Sequence, residues 1–152
     1  MSITAKYVHT NLTARDWRGL VRFYCEVFGC TPKLPECDLS GDWLDQLTSL
    51  QSARLRGLHL AFPGYNAGGP TLEIFTYDSM LDGLEPQVNQ PGFGHIAFQV
   101  ENVKAALDEV LRAGGGQVGA ITATAVPGVG WLEVVYARDP EGNIIELQKW
   151  GS

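Results

Sequence analysis

The stretch His9-Thr10-Asn11-Leu12-Thr13 is followed by a helical run from Asp16 to Phe28, which ends at Gly29. The same pattern returns in His95-Ile96-Ala97-Phe98-Gln99-Val100, followed by a helical run from Asn102 to Arg112 and a run of glycines. Asp16 and Asn102 are good N-cap residues, because their side chains accept hydrogen bonds from the free N–H groups of a first helical turn. This internal repeat predicts two copies of one module.

The two halves also end alike. In each half, a turn-rich segment precedes a short apolar run that favours a β-strand and carries one glutamate. The turns are Asn66–Pro70 and Asp139–Asn143, and the runs are Thr71–Tyr77 and Ile144–Trp150. Two more apolar runs, Arg56–Phe62 and Leu132–Ala137, are candidate strands between each helix and its last strand. Each half therefore reads β-α-β-β-β.

We predict a single α+β domain over residues 1–152, in which two paired βαβββ modules form a curled mixed sheet. The first module spans about 1–81, a linker covers about 82–91, and the second module spans about 92–152. The first module has an extra segment at about 39–53 that contains Trp43, Leu44 and Leu47. This segment is either a short helix or a lid.

Composition argues against several classes of function. The 152 residues carry a net charge of −6 with a pI near 4.9, and no cluster of Lys or Arg interrupts this acidity. We therefore expect no surface for nucleic acid or for an anionic membrane. The N-terminus lacks the apolar run of a signal peptide, and no stretch approaches the roughly 20 apolar residues of a membrane span. We expect a cytoplasmic protein with reduced cysteines.

A histidine opens each half and a glutamate closes it: His9 and Glu73 in the first, His95 and Glu146 in the second. An unpaired carboxylate is costly to bury in an apolar strand, and chance explains poorly the same pair at equivalent places. Two imidazoles and two carboxylates form a donor set for Zn, Ni, Co, Mn or Fe(II). We predict one divalent metal per site, which would act as a Lewis acid on a carbonyl or enolate oxygen.

Side chains alternate along a strand, so residues two positions from each ligand share its face, while the other face is apolar. Polar and aromatic side chains on or near that shared face are predicted to line a substrate pocket. These residues are Asn11, His59, Phe75, Tyr77, Gln99, Trp131 and Gln148. His59 has no counterpart in the second half, so we assign it to the pocket lining or to structure rather than to metal ligation.

Several motifs resemble those of the vicinal oxygen chelate superfamily, which contains glyoxalases, bleomycin resistance proteins and dioxygenases. The resemblance spans essentially the whole chain apart from about residues 39–53. It is carried by Val8–Leu12, by Arg22-Phe23-Tyr24-Cys25-Glu26-Val27-Phe28-Gly29, by Gly94–Val100 and by Asp139-Pro140-Glu141-Gly142-Asn143-Ile144-Ile145-Glu146-Leu147. The last stretch is similar to the closing motif Asp-Pro-x-Gly-x-x-x-Glu-Leu of that superfamily.

The resemblance implies paired βαβββ modules that curl around a metal, in a homodimer. Glyoxalase I has His, Glu, His and Glu at the positions that correspond to His9, Glu73, His95 and Glu146. The resemblance to glyoxalase I implies that this chain is a lyase or isomerase. Such an enzyme transfers a proton through a metal-stabilised enediolate of a small carbonyl or thioester substrate. Glu73 or Glu146 would move the proton, and the sequence leaves open which one.

Two departures bear on the substrate. Bacterial glyoxalase I begins with a motif similar to His-Thr-x-Leu-Arg, and its Arg helps to hold glutathione; this chain has Thr13 at the position of that Arg. The resemblance also implies an Asn after the first glutamate strand, where this chain has Tyr77 and Asp78. Whether glutathione is used, which metal is native and how the dimer is built stay open. One alternative is an Fe(II) extradiol-type dioxygenase, which a fourth protein ligand opposes. The other is a non-catalytic binding module of the bleomycin-resistance type, which needs no metal ligands.

Overall fold

The computed structural model describes residues 1–151. The chain forms two compact units, Met1–Asp82 and Gly83–Ser152. Each unit contains one mixed sheet and one long helix, and this arrangement confirms the predicted α+β class. The first unit has the predicted βαβββ order with α2 inserted, and the second unit has one strand more.

The first unit contains a four-stranded sheet in the order β1-β4-β3-β2. β1 and β4 are parallel, whereas β3 is antiparallel to both β4 and β2. The elements are β1 (His9–Thr13), α1 (Trp17–Phe28), β2 (Thr31–Ser40), α2 (Asp42–Thr48), β3 (Arg54–Ala61) and β4 (Thr71–Tyr77).

The second unit contains a five-stranded sheet in the order β5-β9-β8-β6, with β7 also paired to β8. β5 and β9 are parallel, and the remaining pairs are antiparallel. Its elements are β5 (Ile96–Gln99), α3 (Val103–Arg112), β6 (Gly116–Gln117), β7 (Thr122–Val126), β8 (Gly130–Arg138) and β9 (Ile144–Gly151). The strand that follows the helix is thus split in two, where the first unit has the single irregular strand β2.

Both long helices begin at the predicted caps. Asp16 accepts a hydrogen bond from the backbone N–H of Gly19 over 3.0 Å, and Asn102 accepts one from Ala105 over 2.9 Å. α1 ends at Gly29, whose φ of 71° is left-handed and therefore suits glycine. In α1 the buried residues are Trp17, Leu20, Phe23 and Tyr24. In α3 the buried residues are Val103, Leu107 and Val110, whereas Leu111 is exposed.

The central strands have one buried apolar face, as predicted. Leu72 and Ile74 of β4, and Ile145 and Leu147 of β9, are fully buried. Each such side chain stabilises the fold by about 1.5–3 kcal/mol relative to exposure. α1 packs on β3 and β4, and α3 packs on β8 and β9. Because side chains alternate, burial of these residues turns Glu73 and Glu146 to the opposite faces.

The extra segment of the first unit contains a short helix. α2 places Leu44 in a buried cluster with Ala53, Leu55 and Phe75, whereas Trp43 on the same helix is exposed. The carboxylate of Asp45 accepts hydrogen bonds from the backbone N–H groups of Ser52 and Ala53 over 2.8 and 2.7 Å, which fixes the loop after α2. Of the two interpretations left open by the sequence, a packed helix is the one observed.

The predicted linker contains no helix or strand within residues 82–91. Its later part is attached to the second unit by Arg138, which donates to the carbonyl oxygens of Pro86 and Gly142 over 2.6 and 2.8 Å. The same guanidinium lies 3.6 Å from Glu85. Over residues 1–151, no helix has the length and apolar character that crossing a membrane requires.

Candidate metal centre

The parallel pair of β1 and β4 brings His9 and Glu73 together. In the register of this pair, His9 lies beside Thr71 and Asn11 lies beside Glu73. His9 and Asn11 are two positions apart, so their side chains share a face. Nε2 of His9 lies 3.6 Å from Oε2 of Glu73. The first predicted His–Glu pair is therefore assembled within one unit.

His59 joins the same cluster from the other side of β4. It lies directly opposite Glu73 in the antiparallel pair of β3 and β4, and its Nε2 is 3.0 Å from Oε2 of Glu73. The rings of His9 and His59 meet edge to face, with their centroids 5.5 Å apart. Within the part of the chain that the structure describes, His9, His59 and Glu73 form a group whose donor atoms all lie within 4.8 Å of one another.

The carboxylate of Glu73 is held by residues of β1. Nδ2 of Asn11 donates to Oε1 of Glu73 over 3.0 Å, and the hydroxyl of Thr13 donates to Oδ1 of Asn11 over 3.1 Å. The side chain of Glu73 is 13% exposed. With Oε1 engaged by Asn11, the other oxygen, Oε2, is directed at the two imidazoles.

The second unit contains a His–Glu pair in which the two side chains lie farther apart. Nε2 of His95 lies 4.0 Å from Oε1 of Glu146, and the amide of Gln148 donates to Oε2 of Glu146 over 2.9 Å. Trp150 in turn donates from its indole N–H to Gln148. Tyr136 is the residue opposite Glu146, and its ring lies 4.9 Å from that of His95.

The turn before β9 explains the Asp-Pro-x-Gly sequence. The buried carboxylate of Asp139 accepts hydrogen bonds from the backbone N–H groups of Glu141 and Asn143 and from the side-chain amide of Asn143. Gly142 adopts a φ of 92°, which favours glycine. The turn fixes the start of β9 and thereby the place of Glu146 on it.

A cleft of about 620 Å³ opens beside the first cluster. His9, His59 and Thr71 line one side of it, and the segment from Lys33 to Leu39 lines another. Burial, and to a smaller extent the negative charge of Glu73, raise the pKa of the Cys37 thiol in this wall. A second pocket of about 390 Å³ lies at the other end of the strands and is lined by Thr13, Arg54 and Tyr77 among others.

The seven residues predicted to line a pocket lie in different surroundings. Asn11, His59 and Gln148 contact the strand glutamates directly. Phe75 is buried in the cluster under α2, with its ring 6.1 Å from that of His59. Tyr77 packs against that cluster and lines the smaller pocket. Gln99 ends β5 and is exposed, and Trp131 of β8 is half-exposed.

The contact between His59 and Glu73 is the feature that sequence reasoning missed. A signal for it was present: a hairpin that turns near Asn66, within the predicted turn segment, places His59 opposite Glu73. The comparison between halves concealed this signal, because the second half has Tyr136 at the corresponding place.

The donor atoms of the first unit fit a divalent cation. Two imidazole nitrogens and one carboxylate oxygen suit first-row metals such as Fe(II), Co or Zn, which bind these atoms at about 2.0–2.2 Å. Donors bound to one such ion lie roughly 3–3.5 Å apart. From Oε2 of Glu73, the separation of 3.0 Å to Nε2 of His59 lies in that range, and the separation of 3.6 Å to Nε2 of His9 lies just above it.

Comparison with known proteins gives a consistent result. The family model of the Glyoxalase/Bleomycin resistance protein/Dioxygenase superfamily matches residues 6–147. A lactoylglutathione lyase from Haemophilus influenzae is 31% identical over 146 residues, covering 92% of this chain and 89% of that protein. A probable lactoylglutathione lyase from Vibrio parahaemolyticus is 29% identical over 145 residues, covering 93% of this chain and 88% of that protein.

Solved structures resemble the fold. A glyoxalase family protein from Bacillus cereus superposes with a TM-score of 0.82 at 18% identity, covering 99% of this chain and 97% of that chain. A glyoxalase/bleomycin resistance protein/dioxygenase family enzyme from Burkholderia phytofirmans has a TM-score of 0.62 at 18% identity, with coverage of 97% and 100%. At these identities the likeness concerns the fold alone.

Proposed function

Because the chain belongs to the Glyoxalase/Bleomycin resistance protein/Dioxygenase superfamily, we propose that it is a metal-dependent lyase or isomerase. It moves a proton at the carbon next to the carbonyl of a small hydroxycarbonyl or thioester substrate. The observation that carries this proposal is the repeated His–Glu pair, at 3.6 Å in the first unit and 4.0 Å in the second. His9 and Glu73 lie on the parallel strands of the first unit, and in the second unit His95 directly precedes β5 while Glu146 lies on β9. The proposed ligands are the four residues that the sequence predicts, His9, Glu73, His95 and Glu146.

A divalent cation held by these residues supplies a Lewis acid that stabilises the oxyanion formed when the substrate loses its proton. The residues of the chain must then remove and return that proton. Glu73 and Glu146 are both candidates for this role, because a carboxylate within reach of the substrate C–H can serve as a general base.

The surroundings of the two glutamates favour Glu146 as the group that moves the proton. Both oxygens of Glu73 are engaged, Oε1 by Asn11 and Oε2 by His59. In Glu146, Oε2 accepts from Gln148, whereas Oε1 lies 4.0 Å from His95, beyond hydrogen-bond distance. An oxygen without a short contact is the better placed to accept a substrate proton.

The relatives named lactoylglutathione lyase make S-lactoylglutathione a first thioester to test. The hydroxyl of Thr13, at the place where the resemblance implies an Arg for glutathione, instead bonds to Asn11. This contact supports a substrate whose recognition does not depend on that Arg. That the protein is a homodimer and that it lies in the cytoplasm both stay predictions. Sedimentation velocity measures the oligomeric state.

The test begins with elemental mass spectrometry of untagged protein beside the His9→Ala, Glu146→Ala double variant. We expect near-stoichiometric metal in the wild type and its loss in the double variant. Proton exchange is then followed by NMR in deuterium oxide, with S-lactoylglutathione and a panel of α-hydroxycarbonyl compounds. A wild-type protein that exchanges no substrate proton with any of Zn, Ni, Co, Mn or Fe(II) contradicts the proposal.

The role of Glu146 is tested by Glu146→Gln at saturating metal, with Glu101→Gln in an exposed loop as the matched control. Loss of a general base lowers kcat by about 10²–10⁴-fold. The control should retain wild-type kcat. If Glu146→Gln keeps kcat and Glu73→Gln loses it, the proton is moved by Glu73 instead.

A second candidate, an Fe(II) dioxygenase acting on a catechol, is favoured by one observation. His9, His59 and Glu73 form a group of two histidines and one carboxylate, the ligand set typical of non-haem Fe(II) oxygenases. Anaerobic loading with Fe(II), followed by oxygen-uptake assays with catechols, distinguishes the two reactions. Catechol-dependent oxygen uptake without proton exchange would favour the dioxygenase.

A further inference from the structure

We propose that His59 is a metal ligand, and that His9, His59 and Glu73 of the first unit hold a divalent cation without requiring His95 or Glu146. The inference rests on the proposed function in that both need a metal at Glu73. It goes further by adding a ligand from β3 and by assigning the primary site to one unit.

The first support is the position of the donor atoms. Nε2 of His59 is closer to Oε2 of Glu73, at 3.0 Å, than Nε2 of His9 is, at 3.6 Å. Both imidazoles thus point the same kind of nitrogen at the same carboxylate oxygen. By contrast, the two ligands from the second unit, His95 and Glu146, lie 4.0 Å apart. The first unit has the tighter cluster as well as the larger number of donors.

The second support is the set of contacts behind the donors. Metal-ligating side chains are commonly oriented by hydrogen bonds to their remaining polar atoms. Asn11 holds Oε1 of Glu73, which leaves Oε2 for the cation. Nδ1 of His59 lies 3.5 Å from the hydroxyl of Thr71, a long contact that leaves Nε2 for the cation. The donor atoms Oε2 of Glu73 and Nε2 of His59 thus contact each other within the cluster, while residues outside the cluster contact the other polar atom of each side chain.

The third support is access. The side chains of His9 and His59 are 37% and 31% exposed, and both line the 620 Å³ cleft. A cation held by three protein atoms has coordination positions left for water or substrate, and the cleft is where these would enter. The cluster is thus open on one side and supported by β1 and β4 on the other.

The difference between the two units is the fourth support. Tyr136 lies opposite Glu146 as His59 lies opposite Glu73. A phenol is a poorer ligand for borderline divalent ions than an imidazole. Across residues 1–151, three clustered donors therefore occur in the first unit, whereas the second unit contributes two.

The test uses Co²⁺ as the probe, because its visible spectrum reports the number and type of ligands. Metal-free full-length protein is titrated with Co²⁺, and affinity and spectrum are recorded for the wild type and for His59→Ala, His59→Gln and Tyr136→Ala. We expect both His59 variants to lose more than about 100-fold in affinity, beyond the 10–100-fold typical of an outer hydrogen-bond partner. Tyr136→Ala, the matched change in the second unit, should stay close to the wild type.

The His95→Ala, Glu146→Ala double variant completes the design. It should still bind one equivalent of Co²⁺, with an altered spectrum. Circular dichroism confirms that each variant is folded. His59→Gln is included because glutamine can still donate a hydrogen bond to Glu73 but lacks the imidazole nitrogen.

The outcomes separate this inference from the proposed function. Wild-type affinity and spectrum in either His59 variant would overturn the inference, since His59 would then act only as a hydrogen-bond donor to Glu73. Loss of all Co²⁺ binding in the His95→Ala, Glu146→Ala variant would also overturn it, while leaving a four-ligand site intact. A wild-type protein that binds no Co²⁺ would overturn both proposals.

Discussion

Asn11 and Glu73 are joined by a hydrogen bond of 3.0 Å, from the side-chain amide of Asn11 to Oε1 of the carboxylate. The two residues are neighbours across the parallel pair of β1 and β4. Thr13 accounts for the orientation of the amide, because its hydroxyl donates to Oδ1 and leaves Nδ2 for Glu73. A small exposed side chain thus sets the orientation of the one carboxylate that faces both histidines of the first unit.

The first prediction concerns the replacement of Asn11. Asn11→Ala removes the bond to Oε1 and lets the carboxylate rotate, so the affinity for a divalent cation should fall by about 10–100-fold. Stability should change little, because Asn11 is exposed. Isothermal titration of metal-free protein with Zn²⁺ measures the effect. Asn89→Ala, at an exposed position outside the cluster, is the control. An Asn11→Ala affinity within about twofold of wild type would show that Glu73 needs no such support.

The second prediction concerns the close approach of β3 and β4 next to the cluster. A Cβ on Gly57 would lie 1.9 Å from the carbonyl oxygen of Ile74 and 2.5 Å from the ring of Phe75. Gly57→Ala must therefore push the strands apart, at a cost of about 1–3 kcal/mol or more in unfolding free energy. Urea denaturation measures it. Gly83→Ala is the matched control, because a Cβ there meets no atom within 4 Å. Equal urea midpoints for the two variants would refute the argument.

Much of the fold followed from local signals in the sequence. The limits of α1 and α3 were predictable because Asp16 and Asn102 cap them, and because the apolar stripe has a helical period. The predicted β-α-β-β-β order required a strand after α1, but the position of that strand, β2, was not predicted. Its sequence contains Pro32 and Pro35, its side chains do not alternate in polarity, and its register shifts between Lys33 and Cys37. Such a strand is defined by its partner β3, which local sequence does not reveal.

The candidate metal site likewise has residues that the sequence predicts and one that it does not. His9, Glu73, His95 and Glu146 could be selected because the repeat places them at equivalent positions, and the structure brings the first two within 3.6 Å. His59 could not be selected in that way, since a comparison of the halves finds no equivalent histidine. Its contact with Glu73 depends on the register of an antiparallel hairpin, a long-range property that one strand alone does not encode.

The third prediction tests the packing of α2. Leu44 is fully buried against Leu55 and Phe75, and Phe75 is the neighbour of His59. Leu44→Ala leaves a cavity and should cost about 2–5 kcal/mol of unfolding free energy. Leu47→Ala on the same helix removes a side chain that is 72% exposed and should cost less than about 0.5 kcal/mol. Thermal and urea unfolding compare the two. Similar losses for both variants would mean that α2 is not packed as observed.

The fourth prediction concerns Cys30, a buried thiol after α1. Burial, with a smaller effect of Cys25, raises the pKa of Cys30 from 9.0 to about 12. At pH 8.5 this thiol should therefore resist iodoacetamide in the folded protein, while Cys37 in the cleft wall reacts faster. Peptide mass mapping after timed alkylation measures both rates, and labelling in urea is the control in which all three thiols should react. Equal rates at Cys30 and Cys37 in the folded protein would contradict the burial argument.

The same pKa difference has a defined effect on stability. The folded state holds the Cys30 proton more tightly than the unfolded state, so its contribution to folding is fully present below pH 9. As the pH rises from 9 towards 12, the unfolded chain loses this proton first and the unfolding free energy falls. Lysine and tyrosine titrate in that range too, so the urea midpoint of Cys30→Ala is measured beside the wild type. The wild type should lose more stability than the variant over this range, and parallel curves would show that the thiol titrates alike in both states.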